Sequence, residues 1–263
     1  MTYLRPLAVL ASLITLAAPA AAQVMDSVAK LSIRTGWSEG ADTHIAGLQI
    51  DLAPGWKTYW RQPGDVGIPA QFTWAGSGNV ENIKVLWPRP KVTMDYGMRS
   101  LGYDTRVVLP LVMTTQGNGP VRLKGRVMFG VCEDVCIPVE YKIDTTIQRG
   151  GTSDRALQAA IDAQPSVKRA KVVCEFTPYK TGLKVKLSIK TPALGKEEHM
   201  AVEFADPDLW VGTPELTRQG GTLSAQVKVL ANSGQMPLID RAGLRTTLIA
   251  GTKAVEFRGC QAR

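Results

Sequence analysis

The chain has 263 residues, 44% hydrophobic and 21% charged, with 25 Gly, 16 Pro and four Cys. That is globular composition; it excludes a low-complexity or collagenous chain, and four cysteines are too few for a disulfide-dense miniprotein. The formal charge of +8 is spread along the chain rather than gathered into an arm, so no nucleic-acid partner is expected, and any pull toward acidic proteins or anionic membranes is weak.

Residues 1–22 read as an export signal. Arg5 gives a basic start, Leu7 to Ala18 an apolar stretch, and Ala20 and Ala22 the small residues that a signal peptidase reads, placing cleavage before Gln23. The apolar stretch is too short to cross about 30 Å of hydrocarbon, so no stable membrane insertion is expected. An exported chain folds where disulfides persist.

Short apolar runs bounded by Gly, Pro, Asp or Asn then predict strands at Leu31–Trp37, His44–Leu52, Gln71–Trp74, Ile83–Trp87, Arg106–Met113, Val121–Val127 and Val139–Ile147. Val107, Leu109, Leu111 and Met113 alternate with period two. Pro69, Pro88, Pro90 and Pro110 point to edges, bulges or strand ends, because proline donates no ladder hydrogen bond. Several short strands with turn signals between them suggest a sandwich. At Gly151 the pattern changes. Ser153 is placed to cap a helix over Asp154–Ala163 that Pro165 stops, with Leu157 and Ile161 on one side. It reads as a linker, or as a cap across a domain junction.

Beyond Val167 strands are predicted at Lys171–Phe176, Leu183–Ile189, Met200–Phe204, Leu223–Val229, Leu244–Ile249 and Ala254–Phe257. Leu183, Val185, Leu187 and Ile189 alternate with Lys184, Lys186, Ser188 and Lys190, the pattern of a sheet with one wet face. The expected organisation is all-β. Domains at 23–150 and 168–263 are joined by a helical linker at 151–167.

The cysteines divide into two kinds. Cys174 and Cys260 bracket the second domain and read as a structural bridge, worth about 4–5 kcal/mol in the loop-entropy picture. Cys132 and Cys136 are four residues apart. On one extended strand they would lie roughly 13 Å from each other, whereas a disulfide needs Cα atoms about 4.4–6.8 Å apart. Pairing therefore requires a tight turn or one helical turn, with Gly130 allowing a bend and Pro138 fixing the exit. So small a loop has little chain entropy to lose, which favours reversible exchange over stabilisation as its purpose. Glu133 and Asp134 disfavour a thiolate unless they turn to solvent. Two other readings stay open: a static hairpin staple, and a Cu(I) site with Met94, Met98 or Met128 as soft ligands. Two thiolates without a nearby His make an incomplete zinc site, and His44 and His199 are unclustered, so no His-rich metal site, cofactor or hydrolytic triad is expected. His44 reads as packed or surface-exposed and His199 as solvated.

Three segments carry a family resemblance. Pro54-Gly-Trp-Lys-Thr-Tyr-Trp-Arg-Gln-Pro-Gly-Asp-Val-Gly-Ile-Pro69, Tyr96-Gly-Met-Arg-Ser-Leu-Gly-Tyr103 and Phe129-Gly-Val-Cys-Glu-Asp-Val-Cys-Ile-Pro138 resemble the N-terminal periplasmic domain of the bacterial transmembrane thiol:disulfide interchange protein. The resemblance covers about residues 30–147. It implies an immunoglobulin-like sandwich whose redox pair is Cys132 and Cys136, with Cys136 preferred as the partner-linked cysteine. It further implies electron transfer to thioredoxin-like periplasmic proteins, in a setting associated with c-type cytochrome biogenesis. The spacing of the pair is tighter than in the best-known family member. The eight-helix membrane domain and the thioredoxin-like domain have no counterpart here, so the membrane-embedded electron donor is expected to be a separate protein. A binding module without exchange chemistry remains the alternative. In the resemblance, Trp56, Tyr59 and Trp60 stand as a cover for the disulfide or as core packing, and Tyr96, Tyr103 and Phe129 carry the same ambiguity. Asp65 and Arg99 stand either as orienting groups or as a surface turn and a solvent-facing Arg.

Overall fold

The computed structural model describes residues 27–262. The predicted export signal lies outside the described residues. Strands β1 (Ala29–Glu39), β2 (Thr43–Leu52), β3 (Lys57–Gly64), β4 (Gln71–Thr73), β5 (Asn82–Val85), β6 (Lys91–Asp95), β7 (Met98–Tyr103), β8 (Arg106–Thr114), β9 (Val121–Cys132) and β10 (Cys136–Ile147) form two sheets. Their orders are β1-β2-β8-β5 and β10-β9-β3-β7-β6, with β4 beside β9. Between them lies a core of Leu48, Ile50, Trp60, Leu109, Leu111, Leu123 and Phe129. Pro110 sits inside β8 rather than at its end. The β5 pairing stops at Val85–Leu111, so the missing N–H interrupts no ladder bond on that side.

The helix α1 (Arg155–Asp162) follows, but its N-cap is Asp154, not Ser153. Asp154 Oδ1 accepts from the N–H groups of Ala156 and Leu157 at 2.9 and 3.0 Å. Arg34 donates to the same carboxylate at 2.8 and 3.0 Å, and these contacts hold Asp154 below the ordinary carboxylate range. Leu157 seats over Gly47, where a Cβ would come within 2.8 Å of Leu157 Cδ1. With Ala160 it packs on Ile45 and Val108, so the helix covers the outer face of β2 and β8. It does not cap the junction, and it explains why Val108 is buried against the predicted alternation of β8.

Strands β11 (Ser166–Val167), β12 (Val172–Tyr179), β13 (Gly182–Lys190), β14 (His199–Glu203), β15 (Leu209–Val211), β16 (Glu215–Gln219), β17 (Thr222–Ala231), β18 (Arg245–Ala250), β19 (Lys253–Arg258) and β20 (Gln261–Ala262) build the second pair of sheets. Their orders are β11-β19-β18-β14 and β15-β17-β13-β12-β20, with β16 beside β17. The architecture is all-β, with immunoglobulin-like sandwiches. On β13 the predicted alternation holds: Leu183, Val185, Leu187 and Ile189 are buried and the intervening residues are not.

β18 behaves differently, being buried from Thr246 to Ala250. Its sheet is covered on both faces, because Ala201 and Ile249 join the core of the first sandwich. Polar contacts cross the same junction. Arg61 of β3 donates to Glu203 at 2.9 Å, Glu256 at 2.8 Å and Thr247 at 3.2 Å. Arg99 is only 4% exposed and donates to the Met200 carbonyl at 2.8 Å. The backbone N–H of Arg99 donates to Asp65 at 2.8 Å, and Thr213 also donates to Asp65. Asp65 and Arg99 thus join the two sandwiches, and the solvent-facing reading of Arg99 is corrected. His199 is half-buried rather than solvated, and burial lowers its pKa. His44 is fully buried, with Nε2 at 2.7 Å from the Thr35 carbonyl, and burial lowers its pKa.

Burial alone would raise the Glu256 carboxyl. The hydrogen bond from Arg258 and the charges of Arg61, Arg245 and Arg258 outweigh it and hold the pKa below its ordinary 4.5. A depressed folded-state pKa contributes stability that is present above 4.5 and is lost as pH falls through the folded value. Denaturant midpoints measured from pH 7 down to pH 3 should therefore fall on the acid side. Glu256→Gln should flatten that acid limb; an unchanged limb would remove Glu256 from the account.

Candidate thiol–disulfide site

β9 and β10 run past their predicted ends to the cysteines themselves. Cys132 closes β9, Cys136 opens β10, and the two face each other in register with Cα atoms 4.1 Å apart, joined as a disulfide. Glu133, Asp134 and Val135 make the turn, with the Glu133 N–H donating to the Val135 carbonyl at 3.2 Å. All three are exposed, although the Glu133 carboxylate lies over Gly55, where a Cβ would come within 2.3 Å of Oε1, and Val135 presents an apolar group with 65% of its surface free. The bridge is asymmetric: Cys132 is 2% exposed, whereas Cys136 is exposed.

β3, which the apolar pattern did not predict, lies beside this hairpin. Lys57 pairs with Cys132 across the sheet, and Thr58 Oγ1 donates to the Gly130 carbonyl at 2.8 Å. The Tyr59 hydroxyl lies 3.7 Å from Cys136 Sγ. Burial, and then the nearby Asp95, raise the Tyr59 pKa, so the phenol keeps its proton and serves as a donor. Trp60, one residue on, points the other way into the core with no exposed surface. Trp56 packs on the same core. Of the three aromatics, it is Tyr59 whose hydroxyl reaches the cysteine pair.

The segment after β3 folds back over this face. A Cβ at Gly67 would lie 2.5 Å from the Tyr59 ring, and one at Gly130 would lie 2.7 Å from Ile68 Cβ. Gly130 is therefore a strand residue kept small by a close approach, not the bend that was expected. Gly67→Ala, at φ +114, is expected to displace Tyr59 or the segment, at a cost of about 1–3 kcal/mol. Dithiothreitol should then reduce Cys132–Cys136 several-fold faster; an unchanged rate would mean that the segment does not restrict access.

On the other side, β6 and β7 form a hairpin tied to β3 by the Lys57–Asp95 ion pair. Its tip is Tyr96, 98% exposed at φ 52, followed by Gly97. Tyr103 instead donates from its buried hydroxyl to the Pro88 carbonyl at 2.7 Å, and Phe129 stacks on Tyr141 at 5.8 Å. Met94 and Met98 are exposed on the hairpin, and Met128 opposes Glu140 on β10. None of the three methionines is a register neighbour of either cysteine.

Residues 28–148 match the family described as thiol:disulfide interchange protein DsbD, N-terminal. They form a DsbD N-terminal-like domain. This domain holds the complete Cys132–Cys136 hairpin, β3 and the Tyr96 hairpin. Among solved structures, the N-terminal periplasmic domain of ScsB from Proteus mirabilis is similar, with a TM-score of 0.63 and 20% identity. The match covers 90% of this chain and 94% of that one, so the likeness in fold extends past the DsbD N-terminal-like domain into the second sandwich. No curated protein matches the chain. No described helix is long and apolar enough to cross a membrane.

Outside the DsbD N-terminal-like domain, Cys174 and Cys260 form a second disulfide, with Cα atoms 5.7 Å apart and a separation of 86 residues in sequence. The pairing expected from their spacing is present. The contact of Tyr59 with Cys136 fits the covering reading of the aromatic cluster for that one residue, whereas the approach of Gly67 to Tyr59 was not foreseen. The sequence signal for that approach was the density of glycine and aromatics between Pro54 and Pro69.

Proposed function

We propose that this protein is a periplasmic thiol:disulfide exchange carrier in which Cys132 and Cys136 form the redox pair. The observation that carries this reading is the asymmetric bridge on a hairpin end, one cysteine buried and the other exposed with its sulfur beside a protonated tyrosine, within a DsbD N-terminal-like domain. In the dithiol form, the Cys136 thiolate attacks one sulfur of a partner's disulfide. A Cys136–partner bond forms, the partner's bond breaks, and the released partner thiolate takes up a proton. The Cys132 thiolate then attacks Cys136 Sγ, which restores the bridge and frees the second partner thiolate. The partner gains two electrons and two protons. A donor dithiol recharges the pair by the reverse sequence.

The partners that fit are thioredoxin-like periplasmic proteins, supplied through a separate membrane-embedded electron donor, and c-type cytochrome biogenesis is a setting that uses such reductant. Residues 23–150 are the exchange domain in this proposal, 151–167 the linker and 168–263 the second domain.

The test is the reduction potential of Cys132–Cys136, with mass spectrometry separating it from Cys174–Cys260. A reversible couple above about −300 mV is expected; a lower value marks a structural bridge and overturns the proposal. Tyr59→Phe removes the donor beside Cys136 Sγ. It should raise the pH at which Cys136 is alkylated and slow exchange about 3–10-fold, with little change in stability. An unchanged alkylation profile would remove Tyr59 from the mechanism.

A further inference from the structure

The disulfide of the second sandwich was expected to be a staple, but its surroundings are not those of an inert bridge. Arg241 lies on the loop between β17 and β18. Its Nη1 is 2.8 Å from Cys174 Sγ and donates to the Cys174 carbonyl at 2.9 Å. Its guanidinium stacks on the Phe176 ring at 4.4 Å, and its own carbonyl accepts from the Cys260 N–H at 3.0 Å. One arginine therefore touches both halves of the bridge.

The two cysteines again differ in exposure. Cys174 is 1% exposed, whereas Cys260, just after β19, is half-buried. A neutral disulfide sulfur is a weak acceptor, while a thiolate is a strong one beside a cation. The Arg241 contact is therefore worth more after the bridge opens than before. A buried thiolate at Cys174 would ordinarily be disfavoured by desolvation, and a guanidinium in contact with it offsets that penalty.

We propose that Cys174–Cys260 is a second thiol:disulfide exchange centre, in which dithiol reductants attack Cys260 and Arg241 stabilises Cys174 as the leaving thiolate. The reductant's first thiolate attacks Cys260 Sγ. The Cys174–Cys260 bond breaks, and its electron pair stays on Cys174 Sγ against Arg241. The reductant's second thiolate then attacks its own sulfur in the mixed disulfide. The reductant leaves as a disulfide, and the Cys260 thiolate takes up a proton from water. This centre is independent of Cys132 and Cys136.

The test uses the full chain carrying Cys132→Ser and Cys136→Ser, so that one couple remains. Equilibration with reduced and oxidised glutathione, with acid quenching and mass spectrometry, should give a reversible couple with the glutathione adduct on Cys260. Arg241→Gln should lower the equilibrium constant for reduction about tenfold, as expected for a thiolate pKa raised by about one unit. It should also shift alkylation of Cys174 in the reduced protein to higher pH. Arg241→Lys, which keeps the charge, should restore most of both effects, and a purely structural Arg241 would not produce that rescue. The proposal is overturned if the bridge in the folded protein resists glutathione and dithiothreitol. It is also overturned if the adduct sits on Cys174, or if Arg241→Gln leaves both the equilibrium and the alkylation profile unchanged.

Discussion

Cys132→Ser is expected to accumulate a stable mixed disulfide with a thioredoxin-like protein through Cys136, and Cys136→Ser is expected to trap about 100-fold less. The two cysteines are neighbours in register and share one hairpin, so the difference rests on access. Cys132 is 2% exposed, behind Lys57 of β3 and the hairpin backbone, while Cys136 opens β10 at the surface with Tyr59 beside its sulfur. A disulfide exchange step needs the attacking sulfur, the attacked sulfur and the leaving sulfur close to a line, which a buried cysteine cannot offer to a protein partner. In the Cys132→Ser protein the resolving thiol is gone, so the adduct persists. In the Cys136→Ser protein the remaining thiol is enclosed. Non-reducing electrophoresis with an oxidised thioredoxin-like protein reads the result directly. Equal trapping by both variants would refute the assigned order, and no trapping by either would refute the carrier mechanism.

Trp60→Ala is expected to destabilise the protein by about 3–5 kcal/mol, on the order of 10 °C in the thermal midpoint. Trp60 has no exposed surface, is the largest fully buried side chain of the core, and carries the Arg61 guanidinium 4.0 Å from its ring centre. Its loss would open a cavity between the two sheets and loosen the strand that presents Tyr59 on one face and Arg61 to the junction. Tyr59→Phe, one residue away, should stay within about 1 kcal/mol, because it removes one long contact to sulfur. Urea titration of both variants separates core from site. Comparable losses would mean that the aromatic cluster acts as a unit, and a small loss at Trp60 would contradict its central place in the core.

Much of the second sandwich was legible because its strands obey one rule at a time. On β13 one face is buried and the other wet, so the apolar alternation is clean. β3 hid because its residues serve three purposes: Trp60 packs inward, Tyr59 meets the cysteine pair and Arg61 crosses to Glu203 and Glu256. Pro63 and Gly64 lie at its end, and its pairing with β7 shifts between Tyr59 and Gly64. A strand of that kind carries no period-two pattern. The helix and its apolar side, Leu157 and Ile161, were found, but its cap and the strands it docks on were not. Asp154 takes the cap because Arg34 and two backbone N–H groups converge on it. The apolar side of the helix meets β2 and β8 through the space left by Gly47.

By itself the sequence determined the all-β class, the wide and tight spacings of the two cysteine pairs and the need for a tight connection between Cys132 and Cys136. Those properties depend on spacing and local alternation, which act over a few residues. The tertiary structure alone decided which cysteine of each pair is the more exposed, that Tyr59 reaches Cys136 from 77 residues away, and that Arg241 reaches Cys174 from 67 residues away. It also turned Arg99 from a surface residue into a buried contact with the second sandwich. Burial and long-range hydrogen bonds are properties of packed faces, and no window along the chain contains both partners.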